Sequence, residues 1–217
     1  MIIFNLKTYS ESTGKNADQI VQMFETLVME GKIIAEKFTI APSVLDLGHL
    51  RKQYRNVNLM SQNVSTKAPG AVTGWITPEN LIENEISFSL YNHSENRVFG
   101  PTFVDDIKSI QYRKINLVVC VENIEEAKLA LEAGAFGIAY EPEALIGSGI
   151  SVSTKQDEVL AFLDVVKGKA MAFIGAGVTT GEDVAKCKEL GAEGIILASA
   201  FVKADDREAK AIELLSV

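Results

Sequence analysis

Histidine, cysteine, tryptophan and proline are all scarce in this chain: two, two, one and five residues among 217. The shortages exclude whole classes of function. Cys120 and Cys187 cannot build a disulfide framework. One lies in an apolar run and the other on an expected helix, which points to a reduced, cytoplasmic setting. The histidines, His49 and His93, stand far apart and no Cys-x-x-Cys spacing occurs, so no metal site is expected. No apolar run reaches the roughly 18 residues of a membrane span. The start, Met1-Ile2-Ile3-Phe4, is too short and lacks the basic flank of a secretory signal, so none is expected. Basic charge is also short, with 21 Lys and Arg against 29 Asp and Glu, a net −8. That balance argues against nucleic acid or an anionic membrane as the main partner. An anionic substrate would need local positive features to overcome the global field.

What is present is a globular composition, 47% hydrophobic and 23% charged. Short apolar runs recur at 2–6, 38–41, 58–61, 86–91, 115–121, 136–140, 170–174 and 194–198. Helical patterns follow them at 17–36, 43–54, 77–84, 101–110, 124–133, 153–166, 180–190 and 206–215. Thr77-Pro78-Glu79 reads as a cap with proline at the first helical position. Thr180 precedes the acids Glu182 and Asp183, which suit the positive end of a helix. Gly134 and Gly191 read as helix stops. Eight strand–helix units with runs apolar on both faces imply an α/β fold with a parallel sheet under outer helices. The expectation is a single (βα)8 barrel domain spanning 1–217, with a doubly wound open sheet as the alternative. Spread over eight units, 217 residues leave about 27 each, so most loops must be short.

In such a barrel the chemistry lies at the C-terminal ends of the strands. That rule selects Asn5 and Lys7, Gln62 and Asn63, Asn92 to Glu95, Glu141, Gly175 to Gly177, and Ala198 with Ser199. Asn5 and Lys7 are two apart and point to one side of their strand. A lysine there is costly without an anion to meet. His93 ends a strand, whereas His49 lies in a helical pattern and reads as solvated. Glu141 ends a buried run and is followed by Pro142 and by Gly147-Ser148-Gly149. It reads either as a base under a movable lid or as an ordinary strand-to-helix turn. Gly175-Ala176-Gly177 before a helix, with Ala198-Ser199, reads as a phosphate site.

Together these residues resemble triosephosphate isomerase, most closely its short archaeal type. The resemblance rests on NLK at 5–7, SQN at 61–63, GAVTGWITPE at 70–79, NHSENR at 92–97, AYEPEALIGSG at 139–149, GAGVTTGEDV at 175–184 and GIILASAFVKA at 194–204. It implies a cofactor-free interconversion of dihydroxyacetone phosphate and D-glyceraldehyde 3-phosphate. By the same resemblance Glu141 is the base, His93 polarises the carbonyl, Lys7 holds negative charge, Asn5 orients oxygens and Glu95 is the second acid. Gly147, Gly177, Ala198 and Ser199 would bind phosphate through backbone N–H groups. Pro142, Glu143, Ala144, Leu145, Ile146, Gly147, Ser148 and Gly149 would form the lid. The long loop at 65–76 would enter a partner subunit, with Thr73 reaching the neighbouring site. A homodimer is favoured over a homotetramer, because Asp105, Asp106, Lys108, Glu122, Glu125, Glu126 and Lys128 charge the helices on which tetramers pair. The chain departs from the family pattern in three places. Ala144 replaces a tryptophan, Ile174 and Gly177 replace the tyrosine and serine that latch the lid, and Asn96-Arg97 replaces an arginine pair, leaving that local salt bridge open. Other phosphosugar isomerases or aldolases explain the phosphate loops but not Lys7, His93 and Glu141 together. A non-catalytic phosphate-binding scaffold explains none of the three.

Overall fold

Alternation decides the architecture. Along each short strand one side chain faces the helices and the next faces the sheet interior. A computed structural model describes residues 1–142, 156–175 and 177–217. Among the described residues seven parallel strands are present: β1 (Ile2–Asn5), β2 (Phe38–Ala41), β3 (Phe88–Tyr91), β4 (Asn116–Val121), β5 (Gly137–Tyr140), β6 (Met171–Ile174) and β7 (Gly194–Leu197). Their order is β2-β1-β7-β6-β5-β4-β3. The expected strand at 58–61 is not a regular one. It makes isolated bridges, Leu59 to Ile40 on one side and Ser61 to Ser89 on the other. Its bonds alternate between neighbours: Met60 N–H donates to the Ile40 carbonyl at 3.0 Å, and Ser61 N–H to that of Phe88 at 2.9 Å. Each neighbour therefore receives too short a ladder for a strand.

The helices are α1 (Lys15–Met29), α2 (Val44–Gln53), α3 (Pro78–Glu83), α4 (Phe103–Tyr112), α5 (Ile124–Glu132), α6 (Gln156–Val166), α7 (Gly181–Leu190), α8 (Ser199–Val202) and α9 (Arg207–Leu215). The caps read from sequence are in place. Thr77 and Asn80 form a reciprocal capping box, as do Thr180 and Asp183. Such caps stabilise a helix by about 1 kcal/mol each. The expectation of a helix over 17–36 is corrected at its C-terminal end. α1 stops at Met29 because Gly31 takes φ 70, and the Lys32 N–H turns back to the Leu27 carbonyl at 2.9 Å. The short α8, directly after β7, carries no periodic signal and was absent from the pattern.

Two apolar clusters result. The larger lies between strands and helices and is centred on Phe4, Phe24, Phe38 and Phe201, with the Phe4 ring 4.9 Å from both Phe24 and Phe201. The smaller lies on the sheet interior: Ile3, Ala41, Met60, Leu90, Val118, Cys120, Ala139, Phe173 and Ile196. Every strand contributes to it, and so does the bridging segment through Met60. This inner plug forms the floor beneath the site.

Candidate active site

β1 delivers Asn5 at its last residue, 4% exposed, and Lys7 two residues later. Lys7 has φ 49, a conformation that costs a lysine energy. Two amide side chains hold it there. Asn5 Oδ1 accepts the Lys7 N–H at 3.1 Å, and Gln62 Nε2 donates to the Lys7 carbonyl at 2.9 Å. The Lys7 Nζ donates to Glu95 Oε1 at 2.6 Å. Glu95 is half exposed, so this pair contributes only about 0–1 kcal/mol and exchanges readily for another anion.

β3 delivers His93, buried at 8% exposure. It caps a short 3-10 turn, Ser94–Asn96, and its Nδ1 accepts the backbone N–H of Glu95 at 3.2 Å. A nitrogen that accepts carries no proton, so the neutral ring holds its proton on Nε2. Nε2 lies 3.7 Å from Glu141 Oε2, across the cavity and beyond hydrogen-bond length.

β5 ends at Tyr140, and Glu141 follows with 6% exposure. Its Oε2 is buried and has no hydrogen-bond partner among the described residues. An unsatisfied buried carboxylate oxygen costs about 1–3 kcal/mol or more. Gly175 makes room for it: a Cβ there would stand 2.5 Å from both Cγ and Oε1 of Glu141. Beneath it lies the fully buried Cys120, whose thiol pKa is pushed well up by burial first and then by the Glu141 charge.

One cavity of about 350 Å³ gathers these groups, near the small end of the roughly 300–1,000 Å³ usual for ligand sites. Asn5, Lys7, His93, Glu95 and Glu141 line it together with Gly177, Ala198 and Ser199. Asn5, Lys7, His93, Glu95, Glu141, Gly177, Ala198 and Ser199 therefore meet, whereas Pro142 does not line the cavity and Thr73 is exposed on the loop at 65–76. Pro142 is buried, whereas 143–149, Gly147 among them, lies outside the described residues. The start of α7 differs from the expectation of a free anion site. Asp183 accepts the N–H groups of Thr179 and Thr180 at 2.9 and 3.0 Å, and Glu213 accepts that of Gly181 at 2.7 Å. Burial pushes the Asp183 carboxyl up, but those bonds outweigh it and hold the pKa low.

The salt bridge left open by Asn96-Arg97 is made by one arginine. Arg97 pairs with Glu122 at 3.0 Å and with Glu126 at 2.7 Å. Glu126 is only 4% exposed, so it is not among the surface charges counted against a tetramer. Sequence reasoning named Gly175 for phosphate but missed it as the seat of Glu141, and it missed Gln62 as a clamp on Lys7 and Cys120 beneath the base. The SQN motif carried a signal for Gln62; the other two act through close approaches that spacing does not encode.

Chemically, a carboxylate and an imidazole N–H facing one small cavity, with an ammonium beside them, can move a proton next to a carbonyl and hold the resulting oxyanion. Comparison with known proteins is in accord. A sequence model described as "Triosephosphate isomerase" matches residues 1–215. The chain is 37% identical over 207 residues to "Triosephosphate isomerase" of Thermoplasma volcanium, covering 94% of each chain. It is 35% identical over 222 residues to "Triosephosphate isomerase" of Methanobrevibacter smithii, covering 100% of this chain and 97% of that one. For "Triosephosphate isomerase" of Methanothermus fervidus the figures are 34% over 219 residues, with 99% and 96% covered. With the match running nearly end to end, the chain belongs to the triosephosphate isomerase family.

Proposed function

We propose that this chain interconverts dihydroxyacetone phosphate and D-glyceraldehyde 3-phosphate, without a cofactor, in the cytoplasm. The observation that carries the reading is the buried Oε2 of Glu141, unpartnered among the described residues, set 3.7 Å from His93 Nε2 in a cavity that also holds Lys7. Glu141 takes the proton from the carbon bearing the hydroxyl. The electrons move to the carbonyl oxygen, giving an enediolate. The His93 Nε2–H and the Lys7 ammonium stabilise that oxygen, and Asn5 orients the pair of oxygens. His93 passes its Nε2 proton to that oxygen and takes one back from the neighbouring hydroxyl, while Glu141 returns the carbon proton to the adjacent carbon, so the carbonyl moves one carbon along with no net gain or loss of atoms. Lys7 leaves Glu95 to meet the substrate. Gly177, Ala198 and Ser199, which line the same cavity, offer the phosphate its seat. Lys7 is the one lysine among the described residues lining this cavity, and it sits beside Glu95, an arrangement unlike a buried Schiff-base amine.

We read 1–217 as one barrel domain closed through the segment at 58–61. Its support is the bridging of that segment to both β2 and β3 and the packing of Met60 into the inner plug. We also read the working form as a dimer. A second cavity of about 350 Å³ shares the wall of Lys7, His93 and Glu95 and is lined further by Ser43, Val44 and Gln62. The loop at 65–76 carries an exposed Trp75, 55% accessible, and an exposed Thr73, which suit insertion into that cavity of a partner. A coupled isomerase assay on the purified protein and on Glu141→Gln tests the function. The variant should lose roughly 10²–10⁴-fold in turnover, the usual range for a positioned base. A variant with near-full turnover would remove Glu141 from its role.

A further inference from the structure

Asn92 does no chemistry in the reading above, yet it is 1% exposed and uses both ends of its amide. It has φ 60, in the left-handed region that asparagine tolerates better than most residues. Nδ2 donates to the Cys120 carbonyl on β4 at 2.9 Å, and Oδ1 accepts the Val98 N–H at 3.0 Å. One side chain thus ties the end of β3 both to the neighbouring strand and to the far end of the loop. His93, Glu95 and Arg97 lie between those anchors. Glycine would supply the same φ at lower strain, so the backbone alone does not call for asparagine. The buried amide does.

The orientation of His93 depends on this loop. Its Nδ1 accepts the Glu95 N–H at 3.2 Å, and its Nε2 faces Glu141 at 3.7 Å. Both relations follow from the turn that starts at Asn92. We propose that Asn92 is a positioning residue for His93: its two amide bonds set the turn that fixes the Nε2–H tautomer and aims it into the cavity. The kinetic part of this proposal rests on the isomerase reading; the tautomer part does not.

Two variants separate positioning from stability. Asn92→Gly keeps the backbone conformation and removes both bonds. Asn92→Asp keeps the shape and the acceptor for Val98, but sets a second acceptor against the Cys120 carbonyl. Steady-state kinetics and nitrogen NMR of the imidazoles are measured on each folded protein. Only two histidines exist, and His49, with its side chain 71% exposed, serves as the internal reference. Asn92→Gly should lower kcat about 10–100-fold with KM little changed, the scale expected of a misplacement near 1 Å. His93 should pass from one tautomer to a mixture. Asn92→Asp should fall between the parent and Asn92→Gly in both readouts. Parental kcat with a single His93 tautomer in Asn92→Gly would overturn the proposal. So would a lower melting temperature with tautomer and kcat intact, since that is a purely structural role. If Asn92→Gly does not fold, Asn92→Asp decides by the same criteria. A parent protein without isomerase activity would defeat the function proposed above, while the tautomer comparison would still decide the role of Asn92.

Discussion

Replacing Lys7 by methionine removes the ammonium but keeps most of the apolar stem of a side chain that is 16% exposed. Because the ion pair with the half-exposed Glu95 is weak, stability should change little. Binding of the phosphorylated substrate and the chemical step should both suffer, since the charge opposes negative oxygen in ground state and enediolate alike. Unchanged kinetics with a lower melting temperature would make Lys7 structural. Gly175→Ala tests the seat of the base. Its φ is not in the left-handed region, so alanine is tolerated by the backbone, but the new methyl lands 2.5 Å from the Glu141 side chain. Glu141 must swing, and kcat should fall about 10–100-fold on the misplacement scale with the fold retained. A full kcat would mean that the carboxylate works from another position. At this scale the sequence was legible wherever function sits at a strand end. Asn5, Lys7, His93, Glu95 and Glu141 follow from that rule and meet in one cavity. Gly175 and Asn92 were selected by the same rule, but the part each plays was not legible, because it lies in what approaches them from strands distant in the chain.

Among the elements, the long loop at 65–76 is closed at its base by Ser65, whose N–H and hydroxyl both donate to the Ile76 carbonyl at 2.8 Å, and is held from outside by Arg113. Arg113, just past α4, donates to the carbonyls of Thr66 at 3.0 Å and Lys67 at 2.8 Å, and pairs with Glu79 on α3. The Arg113 hydrogen bonds lower the Glu79 pKa below its ordinary 4.5. A depressed folded-state value means the contribution is complete above pH 4.5 and is lost as pH falls through the folded value. Arg113→Met should therefore loosen the loop, read as faster hydrogen exchange at 66–76, and should weaken subunit association. It should also remove part of the acid sensitivity of the parent. Exchange rates and acid profile identical to the parent would show that the loop is held elsewhere. Helix ends and caps were legible because their signals are local: Thr77, Thr180 and Gly191 act within a few residues. The segment at 58–61 was less so, since its apolar pattern does not reveal that each neighbour offers it only a bridge.

For the whole molecule the expected mass in light scattering at micromolar concentration is near two chains. A fully active monomer would defeat loop exchange, and a mass near four chains would defeat the preference for a dimer. Both thiols are buried, and burial pushes the Cys187 pKa up to about 11, with Cys120 raised as well. Neither should react with a thiol reagent in the native protein, so the labelling rate should follow the rate of global unfolding. Rapid labelling of the native protein would contradict this. The inner plug has a consequence for how such a sequence can drift over generations. Phe173 fills the interior against two glycines: a Cβ on Gly137 would come within 2.7 Å of its ring, and one on Gly194 within 2.3 Å. A methyl at either glycine collides with the ring. Trimming the ring first leaves a hole worth about 3–5 kcal/mol for loss of a whole phenylalanine side chain. Each single step is harmful, so changes at the three positions are energetically coupled. Phe173→Leu combined with Gly137→Ala should be more stable than the sum of the two separate losses allows.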